Sequence, residues 1–227
     1  MLLANNTKIE RKGIFMRIPK HLGLIPDGNR RWAQNKGFKK RDGYEFGLEP
    51  GLQVLKLAQE YGIDEITYYG FTTDNCKRPK DQIAAFQKSC IDAVKLIAKE
   101  NVSLLIIGNY NSPMFPKELM KYTKRTNVGA GGIKVNFLVN YGWDWDISNL
   151  NSTSSRKNIM DGLHSRDISR IDLILRWGGR KRLSGFLPIQ SVYSDIYTID
   201  DMWPDFKPEQ FHEAMKWYNM QDVTLGG

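Results

Sequence analysis

Cysteine is scarce in this chain, and its scarcity excludes a disulfide-built fold. Only Cys76 and Cys90 occur among 227 residues, whereas small secreted scaffolds rely on several cysteine pairs. Two cysteines and three histidines also show none of the spacings typical of zinc sites. The sequence therefore predicts a reduced, cytoplasmic protein whose fold depends on neither disulfides nor structural zinc.

Long apolar runs are missing as well. No stretch approaches the roughly 20 apolar residues needed to span a bilayer. The first twenty residues mix Lys and Arg with isolated apolar residues and lack the apolar core of a signal peptide. Residues 1–17 show no periodicity and predict a loose leader, followed by a single catalytic domain over 18–227. Association with a membrane surface stays open at this point.

Positive charge is abundant by comparison. The chain has 33 Lys and Arg against 25 Asp and Glu, a net charge of +8, with 41% hydrophobic residues. This hydrophobic content is near the globular average and excludes wholesale disorder, while the basic balance favours an anionic partner. Nucleic acid is not expected, because the basic residues gather in loops instead of covering a face with interleaved aromatics. Phosphate-bearing small molecules are favoured.

Two kinds of apolar segment alternate along the chain. Short runs rich in β-formers predict buried strands, and segments with apolar residues every three or four positions predict helices. One predicted helix has Leu52, Leu55 and Ala58 at helical spacing, and residues 116–125 predict another. A further helix is predicted from an apolar stripe of Ile83, Phe86, Cys90, Ala93 or Val94, and Ile97. No internal repeat interrupts this alternation. The predicted fold class is therefore α/β, a single domain with a largely parallel six-stranded sheet flanked by helices. The predicted strands lie near residues 22–25, 63–71, 102–107, 133–139, 171–175 and 196–199.

The residues after the first predicted strand are chemically distinctive. Asp27-Gly28 is a turn pair, and Gly28 lets backbone amides approach a ligand closely. A helix beginning at Asn29 would turn those amides into an anion site. A carboxylate beside Arg30 and Arg31 then indicates an ion pair or a metal-assisted phosphate site. The alternative is a strand, a turn and a helix whose arginines are simply solvated.

Three polar loops follow predicted strands, at residues 27–31, 72–78 and 176–184. Such loops gather at one edge of a parallel α/β sheet. The first and third contain arginines next to glycines, and the planar guanidinium donates two parallel hydrogen bonds to phosphate oxygens. Two basic loops suit two diphosphates. Asp27 between them suits Mg²⁺, which takes one or two carboxylates together with phosphate oxygens and water.

The three loops also carry ordered motifs. The first reads His-Leu-Gly-Leu-Ile-Pro-Asp-Gly-Asn-Arg-Arg-Trp at 21–32, and the second reads Tyr-Gly-Phe-Thr-Thr-Asp-Asn at 69–75. The third reads Asp-Leu-Ile-Leu-Arg-Trp-Gly-Gly at 172–179 and continues to Arg182 and Ser184. In order and spacing, over roughly residues 20–205, these blocks resemble the cis-prenyltransferase, or undecaprenyl diphosphate synthase, family.

The resemblance implies a homodimeric α/β enzyme that uses Mg²⁺ to join isoprenoid diphosphates. The implied reaction transfers an allylic group to isopentenyl diphosphate and gives a cis (Z) polyprenyl diphosphate. Asp27, Asn75 and Arg78 are the implied catalytic residues, and Asp27 and Asp195 are the implied metal ligands. The implied substrate-binding residues are Gly28, Asn29, Arg30, Arg31, Trp32, Lys40, Tyr44, Phe71, Thr72, Arg176, Arg182 and Ser184.

Bulky residues on the strand near 133–139 bear on product length. Leu138 and Val139 stand where long-chain members often have alanine, and Phe137 lies on the alternate face of the strand. This bulk predicts a short or medium product, although Gly70 on a neighbouring strand has no side chain and by itself favours a longer product.

Some positions depart from the family pattern and leave alternatives open. Tyr44 and Lys40 replace the usual His and Arg, and Arg180 and Lys181 replace the usual Glu and His. Because these changes gather around the acceptor site, a second hypothesis changes the acceptor to dimethylallyl diphosphate in a non-head-to-tail coupling, or to an alcohol. A third makes the chain a non-catalytic partner subunit, against which the intact Asp27 argues.

Overall fold

A computed structural model describes residues 16–150 and 155–222, which form one α/β domain around a seven-stranded sheet. The sheet order is β4-β3-β5-β2-β1-β6-β7, and every pair except β3 and β4 is parallel. The strands are β1 (His21–Ile25), β2 (Glu65–Tyr69), β3 (Val102–Ile107), β4 (Thr126–Val128), β5 (Ile133–Leu138), β6 (Leu173–Arg176) and β7 (Asp195–Thr198). The helices are α1 (Asn29–Asn35), α2 (Leu48–Glu60), α3 (Lys80–Ile97), α4 (Trp143–Asp146), α5 (Arg156–Gly162) and α6 (Pro208–Asn219).

The predicted α/β class and parallel sheet are confirmed, but the predicted number of strands is wrong. The additional strand is β4, which has three residues and pairs antiparallel with β3 at one edge of the sheet. Three residues are too few to show a period in the sequence. β4 was therefore missed, although the six longer strands were found.

β1 lies inside the sheet between β2 and β6, and all five of its residues are buried. A continuous apolar run is typical of a parallel strand that is covered on both faces. Leu22 and Leu24 belong to the larger core and Ile25 belongs to a second, smaller core. A Cβ on Gly23 would lie 2.6 Å from the ring of Phe186, so close packing at this point requires glycine.

Three long helices, α2, α3 and α6, supply much of the larger core. α2 buries Leu52, Leu55 and Ala58, the residues whose spacing predicted it. α3 buries Cys90 and Val94, among others, whereas other members of its predicted apolar stripe are only partly buried. Within the described residues, no helix combines the length and the apolar character that crossing a bilayer requires.

The predicted boundary between leader and domain needs correction at its end. Residues 1–15 lie outside the described residues, but Arg17 is fixed to the domain. Its backbone N–H donates to Asn219 Oδ1 at 2.6 Å, and its guanidinium lies 4.0 Å from the ring centroid of Tyr218. The domain therefore begins no later than Arg17. The sequence did not predict this, because Arg17 is held by polar contacts to α6 and not by an apolar pattern.

The order of the strands positions three loops together. From β1 the chain adds β2, β3 and β5 on one side, and it later returns to add β6 and β7 on the other. In such sheets, ligands bind beyond the carboxyl ends of the strands, where the direction of winding reverses. The loops after β1, β2 and β6 meet at that edge.

Candidate active site

A cavity of about 470 Å³ opens at the carboxyl edge of the sheet, between the loops that follow β1, β2 and β6. Its lining brings together most of the residues predicted from the sequence. Those that line it are Asp27, Gly28, Asn29, Arg30, Arg31, Lys40, Tyr44, Thr72, Asn75, Arg78, Arg176, Arg182 and Ser184.

An ion pair between Asp27 and Arg176 joins the first and third loops. Asp27 Oδ2 accepts from Arg176 Nη2 at 2.8 Å, and Asp27 Oδ1 lies 3.7 Å from Arg31 Nη2. The Arg176 side chain is 3% exposed, whereas that of Asp27 is 34% exposed. The buried Arg176 therefore holds Asp27 from the protein interior. The Asp27 carboxylate faces the cavity and keeps lone pairs for a ligand.

The third loop folds around Arg176. Arg176 Nη1 donates to Ser184 Oγ at 3.0 Å and also to the carbonyl of Arg182. Ser184 has a φ of 54°, unusual for a residue other than glycine, and its carbonyl accepts from Tyr69 Oη at 2.7 Å. These contacts fix the loop so that the side chains of Arg182 and Ser184 line the cavity.

Gly28 makes the turn between β1 and α1. Its φ is 106°, and a Cβ at this position would lie 2.9 Å from Met202. Both the backbone conformation and the space therefore require glycine. Its N–H donates to Asp27 Oδ1 at 2.6 Å, which orients the carboxylate. The prediction of a turn at Asp27-Gly28 followed by a helix at Asn29 is confirmed.

The second loop supplies a polar wall. Asn75 Oδ1 accepts from the backbone N–H of Thr72 at 3.0 Å, which closes a short 3₁₀ turn. Arg78 Nη1 donates to Tyr44 Oη at 2.9 Å, and the Tyr44 ring stacks on Phe86 with centroids 4.4 Å apart. Burial raises the pKa of Tyr44, and the nearby Arg78 opposes that rise. Burial has the opposite effect on Arg78 and lowers its pKa, but the ordinary pKa of arginine is so high that the guanidinium stays charged. Near neutral pH the pair therefore consists of a neutral phenol and a cationic guanidinium.

The cavity is strongly cationic. Seven cationic side chains line it against two acidic ones, Asp27 and Asp74. Arg180 is one of the seven and was not among the predicted binding residues, although it lies in the third loop directly after two glycines. Tyr69 also lines the cavity and was missed, because it belongs to a strand and has no charge to signal it. The seven cations are Arg30, Arg31, Lys40, Arg78, Arg176, Arg180 and Arg182.

Two predicted substrate-binding residues do not line the cavity. Trp32 is buried, and its indole N–H donates to Asp205 Oδ1 at 2.7 Å. Phe71 is fully buried and packs edge-on against Phe86, with centroids 5.5 Å apart. The structure therefore gives both a packing role. Proximity in sequence to the loops could not distinguish side chains that point inward from those that point to the cavity.

Asp195 is separated from Asp27 within the chain. It is the first residue of β7 and pairs with Leu173, the first residue of β6. Asp27 instead follows Ile25, which pairs with the last residue of β6. The two carboxylates therefore lie at opposite edges of the sheet, about 10 Å or more apart at 3.3 Å per residue. Asp27 and Asp195, which the resemblance implies as metal ligands, are therefore not brought together within one chain.

A second, apolar cavity of about 80 Å³ adjoins the cationic one. The two cavities share several lining residues, so the polar space continues into an apolar one. Burial raises the pKa of the Cys90 thiol, which lines the apolar cavity, to about 12, so this group stays neutral. The shared residues are Pro26, Asn29, Tyr44, Tyr69, Gly70 and Phe86.

Aromatic side chains restrict the apolar cavity. Tyr68 stacks on Phe137 with ring centroids 4.8 Å apart, and Tyr68 Oη donates to the carbonyl of Gly51 at 2.8 Å. Both rings line the cavity. Leu138, the next residue of β5, belongs to the smaller core on the other face of the sheet. Phe137 is therefore the bulky residue of β5 that limits this space.

The donors fit Mg²⁺ only in combination with a phosphate ligand. Among the described residues, no group of three or more His, Cys, Asp or Glu side chains is arranged to hold a metal ion. Asp27 offers one carboxylate in the cationic cavity, and Mg²⁺ commonly binds through one or two carboxylates plus substrate phosphates. Asp27 together with a bound diphosphate matches that donor set.

Comparisons with known proteins agree with this geometry. The family described as "Putative undecaprenyl diphosphate synthase" matches residues 25–226. The chain is 30% identical to the ditrans,polycis-undecaprenyl-diphosphate synthase ((2E,6E)-farnesyl-diphosphate specific) of Yersinia pseudotuberculosis, over 97% of this chain and 95% of that protein. It is 32% identical to an isoprenyl transferase of Thermus thermophilus, over 92% of this chain and 89% of that protein.

A solved structure resembles the fold as a whole. The crystal structure of lavandulyl diphosphate synthase from Lavandula x intermedia, in complex with dimethylallyl diphosphate, superposes with a TM-score of 0.81. It is 21% identical and covers 92% of this chain and 98% of its own, which bears on the fold alone. The chain belongs to the undecaprenyl diphosphate synthase family of cis-prenyltransferases. It is thus an enzyme of the prenyltransferase class, and its relatives support cis-prenyl chain elongation.

Proposed function

We propose that this enzyme transfers an allylic isoprenoid group to isopentenyl diphosphate and forms a cis (Z) polyprenyl diphosphate of short or medium length. The supporting observation is that a cationic cavity and an apolar cavity share a wall that includes Asn29 and Phe86. A molecule with a diphosphate head and a hydrocarbon tail suits such a pair, because each part meets a lining of its own kind.

The loop after β1 is proposed to bind the allylic diphosphate. Gly28, Asn29 and Arg31 lie beside Asp27, and Arg30 and Lys40 line the same cavity. Ionisation of the allylic carbon–oxygen bond places negative charge on the leaving diphosphate, which arginine donors stabilise. Asp27 would hold Mg²⁺ together with the substrate diphosphate, and the ion would supply further positive charge to the leaving group.

The loop after β6 is proposed to bind the diphosphate of the acceptor. Arg176, Arg182 and Ser184 are held together by the hydrogen bonds of Arg176. Holding the alkene of isopentenyl diphosphate next to the ionised carbon lowers the entropic part of the barrier. The new carbon–carbon bond then forms as the allylic diphosphate leaves, and the acceptor loses a proton that the released diphosphate can accept.

Asn75 and Arg78 are proposed to act beside the reacting carbons. Both line the cavity between the two basic loops. The hydrogen bond from Arg78 to Tyr44 and the stack of Tyr44 on Phe86 fix the guanidinium where the polar lining meets the apolar lining. Their proposed contribution is to position charge, because a permanently cationic arginine does not exchange protons near neutral pH.

The product length is proposed to be set by the Tyr68–Phe137 stack. The relatives named above include undecaprenyl diphosphate synthases, but the apolar cavity here is only about 80 Å³. Two stacked rings that line it oppose further extension of a growing chain. Gly70 lines both cavities, but a Cβ at this position would already lie 2.8 Å from the carbonyl oxygen of Leu138, so this glycine adds little space for a longer chain.

A different acceptor is a second candidate, and Arg180 favours it. Together with Arg176 and Arg182, Arg180 gives the third loop three cavity-lining arginines. Such a site binds a diphosphate with less need of metal, and it does not select the alkene attached to that diphosphate. Dimethylallyl diphosphate, coupled in a non-head-to-tail manner, or an alcohol would then be the acceptor.

The assembly and location are also proposals. We expect a homodimer in the cytoplasm, since Cys76 and Cys90 are both free thiols and exposed apolar residues lie on the edge strand β7 and in the turn just before it.

The test is product identification. Purified protein with Mg²⁺ is incubated with dimethylallyl, geranyl, farnesyl or geranylgeranyl diphosphate, with and without isopentenyl diphosphate, and dephosphorylated products are identified by mass spectrometry and NMR. A linear Z product of short or medium length is expected only when isopentenyl diphosphate is present. An undecaprenyl product would contradict the proposed length. Branched products, or products formed without isopentenyl diphosphate, would favour the second candidate, and no product would favour the partner subunit.

A further inference from the structure

Three aromatic side chains, one on α1 and two that follow it in the chain, pack against one another. The Trp32 ring lies 4.6 Å from that of Phe46 and 6.1 Å from that of Phe38, between centroids. Phe38 and Phe46 stack with centroids 5.6 Å apart and an angle of 19°. Trp32 is buried, but Phe38 is 47% exposed and Phe46 is 45% exposed. We call these three residues the aromatic cluster.

Exposed cations surround Phe38 in the sequence. Arg41 Nη1 lies 3.6 Å from Asp81 Oδ2. Within the described parts of the chain, no carboxylate lies within ion-pair distance of Lys36, Lys39 or Lys40. The three lysine ammonium groups are therefore free of ion pairs within the described residues, although Asp42 accepts from the backbone N–H of Lys39 at 3.1 Å. The four exposed cations within three residues of Phe38 are Lys36, Lys39, Lys40 and Arg41.

We propose that the aromatic cluster and these cations form a docking surface for anionic lipid bilayers. Two exposed phenyl rings beside a row of cations match the two parts of a membrane interface, which takes aromatic rings at the acyl boundary and cations at anionic headgroups. Lysines suit this arrangement because their stems extend along apolar surface while their ammonium groups stay in the headgroup region. Phe38 and Phe46 are the inserting residues.

Charge argues against a second copy of this chain as the occupant. A symmetric dimer contact through this patch would bring each row of cations against the same row of the other copy, and like charges oppose such a contact. Lys40 belongs to this row and also lines the cationic cavity. The docking surface therefore adjoins the mouth of the site. The inference does not depend on which prenyl reaction occurs there.

The test is co-sedimentation of the full chain with vesicles, in the absence of substrates. Phosphatidylcholine vesicles are compared with vesicles that also contain phosphatidylglycerol. We expect binding to the anionic vesicles that weakens at high salt. F38S/F46S and K36E/K39E are each expected to lower the partition coefficient about tenfold or more. K117E/K121E is the control, because it changes the net charge equally within a 3₁₀ helix that packs near β3 and is expected to bind almost as well as wild type.

Three results would overturn the proposal. They are failure of the wild type to sediment with anionic vesicles, equal losses for K117E/K121E and K36E/K39E, and loss of a dimer by F38S/F46S in sedimentation velocity. Thermal unfolding shows whether F38S/F46S keeps its fold. The variant F38W adds an independent readout, since its fluorescence emission should shift to shorter wavelength on anionic vesicles only. An unchanged emission would also count against docking.

Discussion

Asp27 and Arg176 depend on each other within the candidate site. The arginine is buried and the carboxylate is its charged partner at 2.8 Å, while the carboxylate itself faces the cavity. Loss of Asp27 would leave a buried guanidinium without its counter-charge, which destabilises a protein more strongly than the loss of an exposed ion pair. Asp27 therefore contributes to the structure of the third loop as well as to chemistry. Substitutions that keep its shape are the informative ones.

Gly28 gives a prediction at the same scale. Gly28→Ala should lower stability by more than Gly62→Ala, because both positions have positive φ but only Gly28 faces another residue, Met202, at 2.9 Å. Positive φ alone costs alanine about 1–2 kcal/mol, and the contact adds about 1–3 kcal/mol. Thermal or urea unfolding measures both variants. Since the backbone shift would displace Asp27, Gly28→Ala should also lower kcat/KM, and equal effects of the two substitutions would argue against this role.

Much of the candidate site was predictable from single residues, and the exceptions share one cause. Charged or turn-forming residues in strand-end loops, such as Asp27 and Arg176, carry chemical signals in their types. Trp32 and Phe71 share those loops but point into the core. The direction of a side chain depends on the packing around its loop, which residue types do not encode. For the same reason, the residue type of Arg180 departs from the family pattern but does not by itself predict that this side chain lines the cavity.

β5 shows how one strand serves two spaces. Phe137 faces the apolar cavity, whereas its neighbour Leu138 packs in the core on the other face of the sheet. Phe137→Ala should therefore lengthen the product by one or more isoprene units, because it removes half of the aromatic stack with Tyr68. Chromatography and mass spectrometry of the dephosphorylated products measure this change.

Leu138→Ala is the control for that prediction. Both substitutions remove a buried side chain, at a cost of about 2–5 kcal/mol for Leu and about 3–5 kcal/mol for Phe. Only Phe137→Ala enlarges the apolar cavity. If both variants, or neither, shifted the product length, the stack would not be the limit of the cavity.

Long periodic elements were predictable, and short ones were not. The spacing of apolar residues identified α2 and α3, whose helical bounds include the predicted stripes. The segment from Pro116 onward, predicted as a helix to residue 125, forms only a 3₁₀ helix at Lys117–Tyr122. Short 3₁₀ helices and three-residue strands depend on local turns and edge pairing more than on a repeating apolar face.

A buried polar cluster links the strands in the middle of the molecule. His21 Nε2 lies 2.8 Å from Thr67 Oγ1, and His21 Nδ1 lies 3.0 Å from the carbonyl of Ser169. Glu65 accepts from Asn136 Nδ2 at 2.7 Å and from Ser169 Oγ at 2.8 Å. The cluster ties β1, β2 and β5 to the segment before β6. It lies outside the described lining of the cationic cavity.

This cluster predicts a pH dependence of stability. Burial lowers the pKa of His21 below 6.5, although Glu65 and Asp172 oppose the shift. Below pH 6.5 the unfolded chain binds a proton that the folded chain does not, so the contribution is full above that pH and is lost as pH falls. The free energy of unfolding should therefore fall as the pH is lowered from about 7 through 6.5 and below.

His21→Gln should remove most of that drop, and His164→Gln should leave it in place. His164 stacks on Trp145, away from the cluster. Urea unfolding at several pH values measures both variants against the wild type. An unchanged pH dependence in His21→Gln would show that another group is responsible. Glu65, whose pKa stays below 4.5 because His21 and its hydrogen bonds outweigh burial, titrates below this pH range.

β7 is an edge strand of the sheet, and the exposed apolar residues on it and just before it are candidates for the dimer contact. Ile196 is 40% exposed on this edge strand, with Val192 62% exposed and Tyr193 41% exposed nearby. Exposed apolar edges tend to pair with another chain. Ile196→Lys should shift the proposed homodimer towards monomer in sedimentation velocity, raising the dimer dissociation constant about tenfold or more. Met120→Lys adds the same charge at another exposed site and should not. A monomeric wild type would contradict the assembly proposed here.

The most direct test of the proposed reaction is the initial rate of prenyl transfer in Asp27→Asn. This variant keeps an acceptor for Arg176 and removes the negative charge. With an allylic diphosphate, isopentenyl diphosphate and Mg²⁺, we expect kcat/KM to fall about a hundredfold or more. The variant should remain folded but be less stable than the wild type, because the buried Arg176 loses its counter-charge. Asp92→Asn, which removes a carboxylate from an ion pair outside the cavity, should change the rate less than about twofold. If Asp27→Asn instead kept the wild-type rate, the catalytic centre would not be the cationic cavity at the carboxyl ends of the strands.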